Sequence, residues 1–299
     1  MPILIDKNTR ALIQGITGSE GSRACREMLS YGTKVVAGVT PGRAGQKIAG
    51  VPVYDTVREA LRRHSSINTS LISVPAPFVR EAAGEAILAG IPLINILAEH
   101  VPTQDSAFII ALAKYKGVRV VGPSSVGIIS PGKAKVGSIG SSTIARLFQP
   151  GPVGLISKSG GMTAEIASVL TRAGLGQSTA IGIGGDQIIG SDFVDLLKLF
   201  AVDNNTKAVV IFGEVGGTYE EKVAEFIQTG GFRKPVVAVV AGKFTTTLPK
   251  ETILGHAGAI ISRGRGGYHS KVGAFKRAGV ILANTIEEIP ILIKKKLGH

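Results

Sequence analysis

The sequence predicts an α/β protein made of two doubly wound domains in tandem, and three observations carry that reading. Short aliphatic runs alternate with helix-like stretches along the chain. The alternation breaks once, in a Gly/Pro/Ser-rich segment at 122–152, and then restarts. Forty glycines and only 5% aromatic residues suit a loop-rich fold with an aliphatic core. Continuous apolar strands separated by helices imply parallel sheets covered on both faces. With 299 residues there is chain for about two domains, each with its own core.

In the first half, the aliphatic runs at 11–16, 34–39, 70–75, 93–98 and 119–122 read as strands. Helix-like stretches at 20–31, 56–64, 78–89 and 103–116 lie between them, with Asp55 read as a cap on the second. After the break, strands are expected at 153–157, 179–183, 208–212, 236–241 and 280–283. Helices are expected at 161–173, 192–202, 219–229, 270–278 and 286–297, the last ending in Lys294-Lys295-Lys296, which suits a helix C-terminus. The expected division is a first domain at 1–125, a linker at 126–152 and a second domain at 153–299. In such folds ligands bind at the carboxyl ends of the strands.

Composition removes several classes of function. No apolar run approaches the roughly 18–20 residues of a membrane span. The best stretch, 86–98, is broken by Gly90, Pro92 and Asn95. The N-terminus shows no basic segment followed by an apolar one, so no secretion signal is expected. Cys25 is the only cysteine, which leaves no internal disulfide and no multi-cysteine metal site. A cytoplasmic protein without a metal centre and without a membrane partner is the expectation.

The net charge is +13, with 17 basic against 9 acidic residues in 1–150 and 17 against 12 in 151–299. Neither half is a basic tail. No helix-turn-helix, zinc or RNA-recognition pattern occurs, and aromatics are too sparse for a base-stacking platform. Nucleic acid is therefore not the expected partner. A polyanionic small ligand or an acidic partner subunit fits the charge better.

The motifs fall at the expected strand ends. Gly15, Gly18 and Gly21 space a turn between the first strand and the first helix, with Thr17, Ser19 and Glu20 inside it. Such a turn offers backbone N–H groups and a helix N-terminus to an anion. Its G-x-x-G-x-x-G spacing departs from the dinucleotide G-x-G-x-x-G, so a nicotinamide cofactor is not favoured. Pro41 and Arg43 follow the second strand, adding a fixed cation beside a glycine turn. Val74 and Pro75 end the third strand in a rigid wall suited to a flat ring or an extended ligand. Ala98, Glu99 and His100 sit at the end of the fourth.

In the second half, Ser159 is read as a helix N-cap, with Gly160 and Gly161 presenting N–H groups to a phosphate. Glu214 ends a strand in Gly213-Glu214-Val215-Gly216-Gly217 and can accept the N–H of a histidine. His256 stands between glycines in Gly255-His256-Ala257-Gly258-Ala259, where it can take a proton, ligate a metal or act as a nucleophile. Among the other histidines, His64, His269 and His299 read as surface residues.

Taken in order, these segments resemble the α subunits of succinyl-CoA synthetases. The resemblance rests on residues 4–9, the Gly15–Gly21 turn, 31–34, 38–42, 74–78, Gly182-Ile183-Gly184-Gly185-Asp186, 213–217 and 255–261. It implies a CoA-binding Rossmann domain followed by a flavodoxin-like ligase domain. It also implies a phosphohistidine at His256, oriented by Glu214, with Ser159, Gly160 and Gly161 holding the phosphoryl group. Coenzyme A would be held by Thr17, Gly18, Ser19, Glu20, Gly21, Pro41, Arg43, Val74, Pro75, Ala98 and Glu99. A separate ATP-grasp β subunit would bind ATP or GTP with Mg2+, and the assembly would act in the tricarboxylic acid cycle.

The chain departs from the succinate enzymes in three places. It has Arg43 where they usually carry lysine, Gly122-Pro123-Ser124-Ser125-Val126-Gly127 where they read Gly-Pro-Asn-Cys-Pro-Gly, and Ser157-Lys158-Ser159-Gly160-Gly161-Met162-Thr163 where they read Ser-Arg-Ser-Gly-Thr-Leu-Thr. The last two changes, and longer stretches before Pro152 and before His256, look like ATP-citrate lyase and citryl-CoA synthetase. Succinate is the first expectation for the acid and citrate the second. The segment at 243–252, with Thr245-Thr246-Thr247, reads either as an acid contact or as a surface loop. A CoA-binding regulator without catalysis is the remaining alternative.

Overall fold

The computed structural model describes residues 3–140, 144–247 and 266–298. Its first half is built from β1 (Arg10–Gln14), α1 (Ser19–Ser30), β2 (Lys34–Val39), β3 (Lys47–Ile48) and β4 (Val51–Tyr54). These are followed by α2 (Val57–Arg63), β5 (Thr69–Ile72), α3 (Val79–Leu88), β6 (Leu93–Ile96), α4 (Thr103–Lys116) and β7 (Arg119–Val121). The strands form one sheet in the order β3-β4-β2-β1-β5-β6-β7. From β4 to β7 every pairing is parallel, and only β3 runs antiparallel, against β4. The parallel strands thus follow the Rossmann order, which reverses between β1 and β5 and opens a crevice at their carboxyl ends.

The second half contains β8 (Gly127–Ser130), β9 (Ala134–Gly137), α5 (Ile144–Leu147), β10 (Pro150–Ser157), α6 (Gly160–Arg172) and β11 (Gln177–Gly182). It continues with α7 (Phe193–Val202), β12 (Ala208–Glu214), α8 (Tyr219–Gln228), β13 (Val236–Ala241), α9 (Tyr268–Arg277), β14 (Ile281–Leu282) and α10 (Glu288–Leu297). Its sheet has the order β14-β13-β12-β10-β11-β8-β9. The five parallel strands give the flavodoxin order, with its reversal between β10 and β12. Ser157 pairs with Phe212 there, so the loops that leave these two strands start side by side.

The stretch expected to be a linker is part of this second sheet. β8 pairs antiparallel with β11, and β9 pairs antiparallel with β8. Its glycines and prolines masked two four-residue strands whose side chains are all buried. The small β3–β4 arm is also absent from the sequence reading, since strands of two and four residues carry too little periodicity. Asp55 does not cap α2. Its carboxylate accepts the backbone N–H groups of Arg43 and Ala44, both at 3.0 Å, while Thr56 caps the helix through Glu59 N–H at 3.1 Å.

The halves are joined by more than the chain. One apolar core runs through both, from Ile13 and Leu71 to Ile181 and Ile211. Lys135 of β9 is fully buried and pairs with Glu27 of α1 at 2.8 Å. Burial pulls the Lys135 ammonium below its ordinary range, and Glu27 opposes that pull. Thr33 closes the same clasp, donating its hydroxyl to Lys135 C=O and accepting Lys135 N–H, both at 2.8 Å. Asn95 at the end of β6 donates to Ser125 Oγ, 2.7 Å away, and Ser125 donates to Gly182 C=O at 2.6 Å. The strand ends of the two sheets are thereby held facing one another.

Candidate active site

Two adjoining cavities occupy the space at those strand ends. The larger, about 800 Å3, is walled by the start of α1, the loops after β5 and β6, and the start of α6. Gly18, Ser19, Glu20, Val74, Pro75, Ala98 and Glu99 reach it from the first half. Ser159, Gly160 and Gly161 reach it from the second. The smaller, about 410 Å3, lies at the crevice between β1 and β5 and takes Thr17 and Pro41 into its wall. Gly18, Val74 and Pro75 line both. Residues singled out in two separate domains therefore share one continuous site.

The turn between β1 and α1 folds as its glycines require. Gly15 adopts φ +79°, and a Cβ there would lie 2.3 Å from Ser73 C=O. Gly18 N–H donates back to Gly15 C=O at 3.0 Å, and Thr17 Oγ1 donates to Thr40 Oγ1 at 3.1 Å. Gly21 faces inward instead of toward either cavity, and a Cβ on it would meet Gly15 C=O at 2.2 Å. It closes the turn; it does not line the site. Arg43 is exposed and lines neither cavity. The Asp55 carboxylate holds its backbone, not its guanidinium.

At the second-domain end, Ser159 is the N-cap of α6, with its hydroxyl accepting Met162 N–H at 3.4 Å. Ser157 Oγ accepts Ser159 N–H at 3.1 Å and donates to Ser159 C=O at 2.8 Å, which stiffens the approach to the helix. The first-turn N–H groups of α6 have no partner within the helix and carry its positive dipole end, so an anion in the cavity meets them directly. Glu214 ends β12 half-buried, its N–H donating to Glu220 at 3.1 Å. His256 lies outside the described residues, as do 248–252 and His299.

Several cavity residues were absent from the sequence reading. Arg23 sits one turn after Ser19 on the same face of α1, a spacing that was there to be read. Lys158 lies inside the noticed Ser157–Met162 motif, yet its direction depends on what β12 and α8 place beneath it. Ser124 and Ser125, from the 122–127 segment already noted, join Ser73 and Ser138 in a hydroxyl-rich wall. The last comes from the supposed linker. His100 is exposed with φ 58° and lines neither cavity. His64 is half-buried, with Nε2 3.0 Å from Tyr54 Oη, so it is not the free surface residue expected. Thr245, Thr246 and Thr247 each donate to a carbonyl three residues back, closing a local turn.

Among the described residues, no three His, Cys, Asp or Glu side chains gather where a metal ion could be held. No described helix is long and apolar enough to cross a membrane.

The chain matches the CoA binding domain family over residues 6–100 and the CoA-ligase family over 156–281. It is 47% identical to the protein named succinate–CoA ligase [ADP-forming] subunit alpha 2 of Archaeoglobus fulgidus, covering 99% of this chain and 100% of that one. The protein named succinate–CoA ligase [ADP-forming] subunit alpha of Methanothermobacter thermautotrophicus is 45% identical, covering 99% and 97%. Among solved structures, ATP citrate lyase from Methanothrix soehngenii, in complex with citrate and coenzyme A, superposes with a TM-score of 0.93 at 26% identity. That match covers 99% of this chain but 50% of the other, so the chain spans about half the length of the lyase.

Proposed function

The chain belongs to the family of succinate–CoA ligase α subunits, and on that footing we propose that its two cavities form the α-subunit half of a nucleotide-dependent acid–CoA ligase site, with succinate as the acid. Coenzyme A lies along the first domain, with its phosphates at Thr17–Glu20 and its body along Pro41, Val74, Pro75, Ala98 and Glu99. Arg43, which lines neither cavity, supplies long-range positive potential to the same phosphates. Gly21 shapes the turn that receives them.

The reaction proceeds in three transfers. His256 attacks the terminal phosphoryl group of the nucleotide, the nucleoside diphosphate leaves, and Glu214 orients the imidazole by accepting its other N–H. The succinate carboxylate then takes the phosphoryl group from His256, giving an acyl phosphate. The CoA thiol, losing its proton, attacks the acyl carbon and inorganic phosphate departs, leaving succinyl-CoA. Splitting the ligation this way avoids attack of a thiol on an unactivated carboxylate. At each transfer the charge on the phosphoryl oxygens is met by the N–H groups of Gly160 and Gly161 at the start of α6, a turn that Ser159 caps.

The relatives are named as α subunits, which implies a second subunit, and an ATP-grasp β subunit that carries ATP or GTP with Mg2+ completes the site. We place the assembly in the cytoplasm. The observation that carries the proposal is the shared cavity, which sets the CoA-side residues of one domain against the phosphate-side residues of the other.

The test is phosphoryl trapping on the chain assembled with its β subunit and labelled nucleotide. Acid-labile, alkali-stable label is expected on this chain and absent from His256→Ala, and CoA with succinate should discharge it. Likeness to the citrate-bound lyase over 99% of this chain keeps citrate as the second reading, so discharge by CoA with citrate alone would name that acid instead. No label on an assembled pair would leave a CoA-binding regulator.

A further inference from the structure

Four ionisable side chains run end to end behind the phosphate side of the cavity. Lys158 Nζ lies 2.9 Å from Glu220 Oε1. The other oxygen of Glu220 pairs with Lys271, and Lys271 Nζ lies 3.0 Å from Glu221 Oε2. Glu220 and Lys271 are completely buried, while Lys158 alone of the four forms part of the cavity wall. The charges alternate, so Lys271 is bracketed by two carboxylates whereas Lys158 shares one. Lys158, the positive end of the chain, lines the cavity, and the negative end, Glu221, accepts Gly266 N–H at 3.1 Å and Ser270 Oγ–H at 2.9 Å.

Glu220 fixes both loops of the second switch point. Its Oε1 holds the Lys158 ammonium and also accepts the N–H of Glu214. Gly213 makes room for it, since a Cβ there would lie 2.7 Å from Glu220 Cγ. The rings of Phe193 and Tyr219 stand 6.0 and 5.5 Å from the ammonium and limit its swing. Desolvating such ions costs about as much as their pairing returns, so stability alone is a weak reason for the arrangement.

Resting on the ligase reading, we infer that Lys158 is a phosphate-contacting residue of the site and that Glu220 is its positioning residue, with Lys271 and Glu221 balancing the charge. Lys158 immediately precedes the cap of α6. Its ammonium and the first-turn N–H groups therefore approach one anion from two sides. An anion so held is the phosphoryl group on its way to or from His256, or the phosphate released when the thiol attacks.

The test measures binding of inorganic phosphate and, separately, of coenzyme A to the full chain by calorimetry. Lys158→Met is expected to weaken phosphate binding at least about tenfold, the loss of a charge-assisted hydrogen bond, with CoA binding unchanged. Lys158→Arg should restore most of it. Glu220→Gln combined with Lys271→Met keeps the buried charges balanced, and should weaken phosphate although Lys158 is intact. If Lys158→Met alone does not fold, Lys158→Met with Glu220→Gln removes a neutral pair and serves in its place. Unchanged phosphate affinity in variants that still bind CoA would overturn the inference. Wild-type chain that takes no phosphoryl label, yet binds phosphate through Lys158, would uphold the contact and sink the ligase reading.

Discussion

Glycine serves opposite ends in the two halves of the site, and the difference is measurable. A Cβ on Gly21 would collide with Gly15 C=O at 2.2 Å, whereas one on Gly161 meets nothing within 4 Å. Gly21→Ala is expected to cost about 1–3 kcal/mol, because backbone cannot yield as a side chain does, and to weaken CoA binding with it. Gly161→Ala should stay within about 0.5 kcal/mol of wild type in a urea titration. Both residues are equally prominent in the sequence, as parts of glycine-rich strand ends. With no side chain, glycine gives no sign of whether it faces a ligand or a neighbouring carbonyl. The cations show the same limit. Arg43 stands out in its glycine turn but lines neither cavity, while Lys158 reaches one above the buried Glu220.

Helices α8 and α9 are pinned together by Lys271 against Glu220 and Glu221, and this pairing has a pH signature. Burial pushes the Glu221 carboxyl up, but the Lys271 charge, with hydrogen bonds from Lys271 and Ser270, outweighs it and holds the group below its ordinary value of 4.5. The folded state therefore binds that proton less readily than the unfolded chain. Stability from Glu221 is complete above the ordinary value and is lost as pH falls toward the folded one. Urea midpoints of wild type should fall on acidification through this window, and the gap to Glu221→Gln should close. A gap that stays constant would contradict the pairing. Most elements of this size were legible: strands and helices matched the apolar alternation to within a few residues. The β3–β4 arm and the β8–β9 hairpin were not, because strands this short exist by pairing, not by pattern.

At the scale of the molecule, the shared core and the Lys135–Glu27–Thr33 clasp tie two domains into one unit. A single calorimetric transition is expected, with van't Hoff and calorimetric enthalpies equal, and two resolved transitions would refute it. Thr33→Val removes both hydrogen bonds to the Lys135 backbone and leaves buried groups unpaired, at a cost of about 1–3 kcal/mol. That loss should lower the one transition without splitting it.

The order of apolar runs, the glycine turns at their ends, the cap at Ser159 and the His256 motif are local. They follow from periodicity and residue chemistry, and the sequence by itself determined two doubly wound domains, their family resemblance and the residues proposed to hold CoA and phosphate. The docking of one sheet's ends against the other's was decided by tertiary structure alone. So were the hairpin that completes the second sheet, the inward turn of Gly21 and the buried ion chain behind Lys158. Each depends on contacts between residues distant in sequence, whose geometry exists only once both sheets have formed.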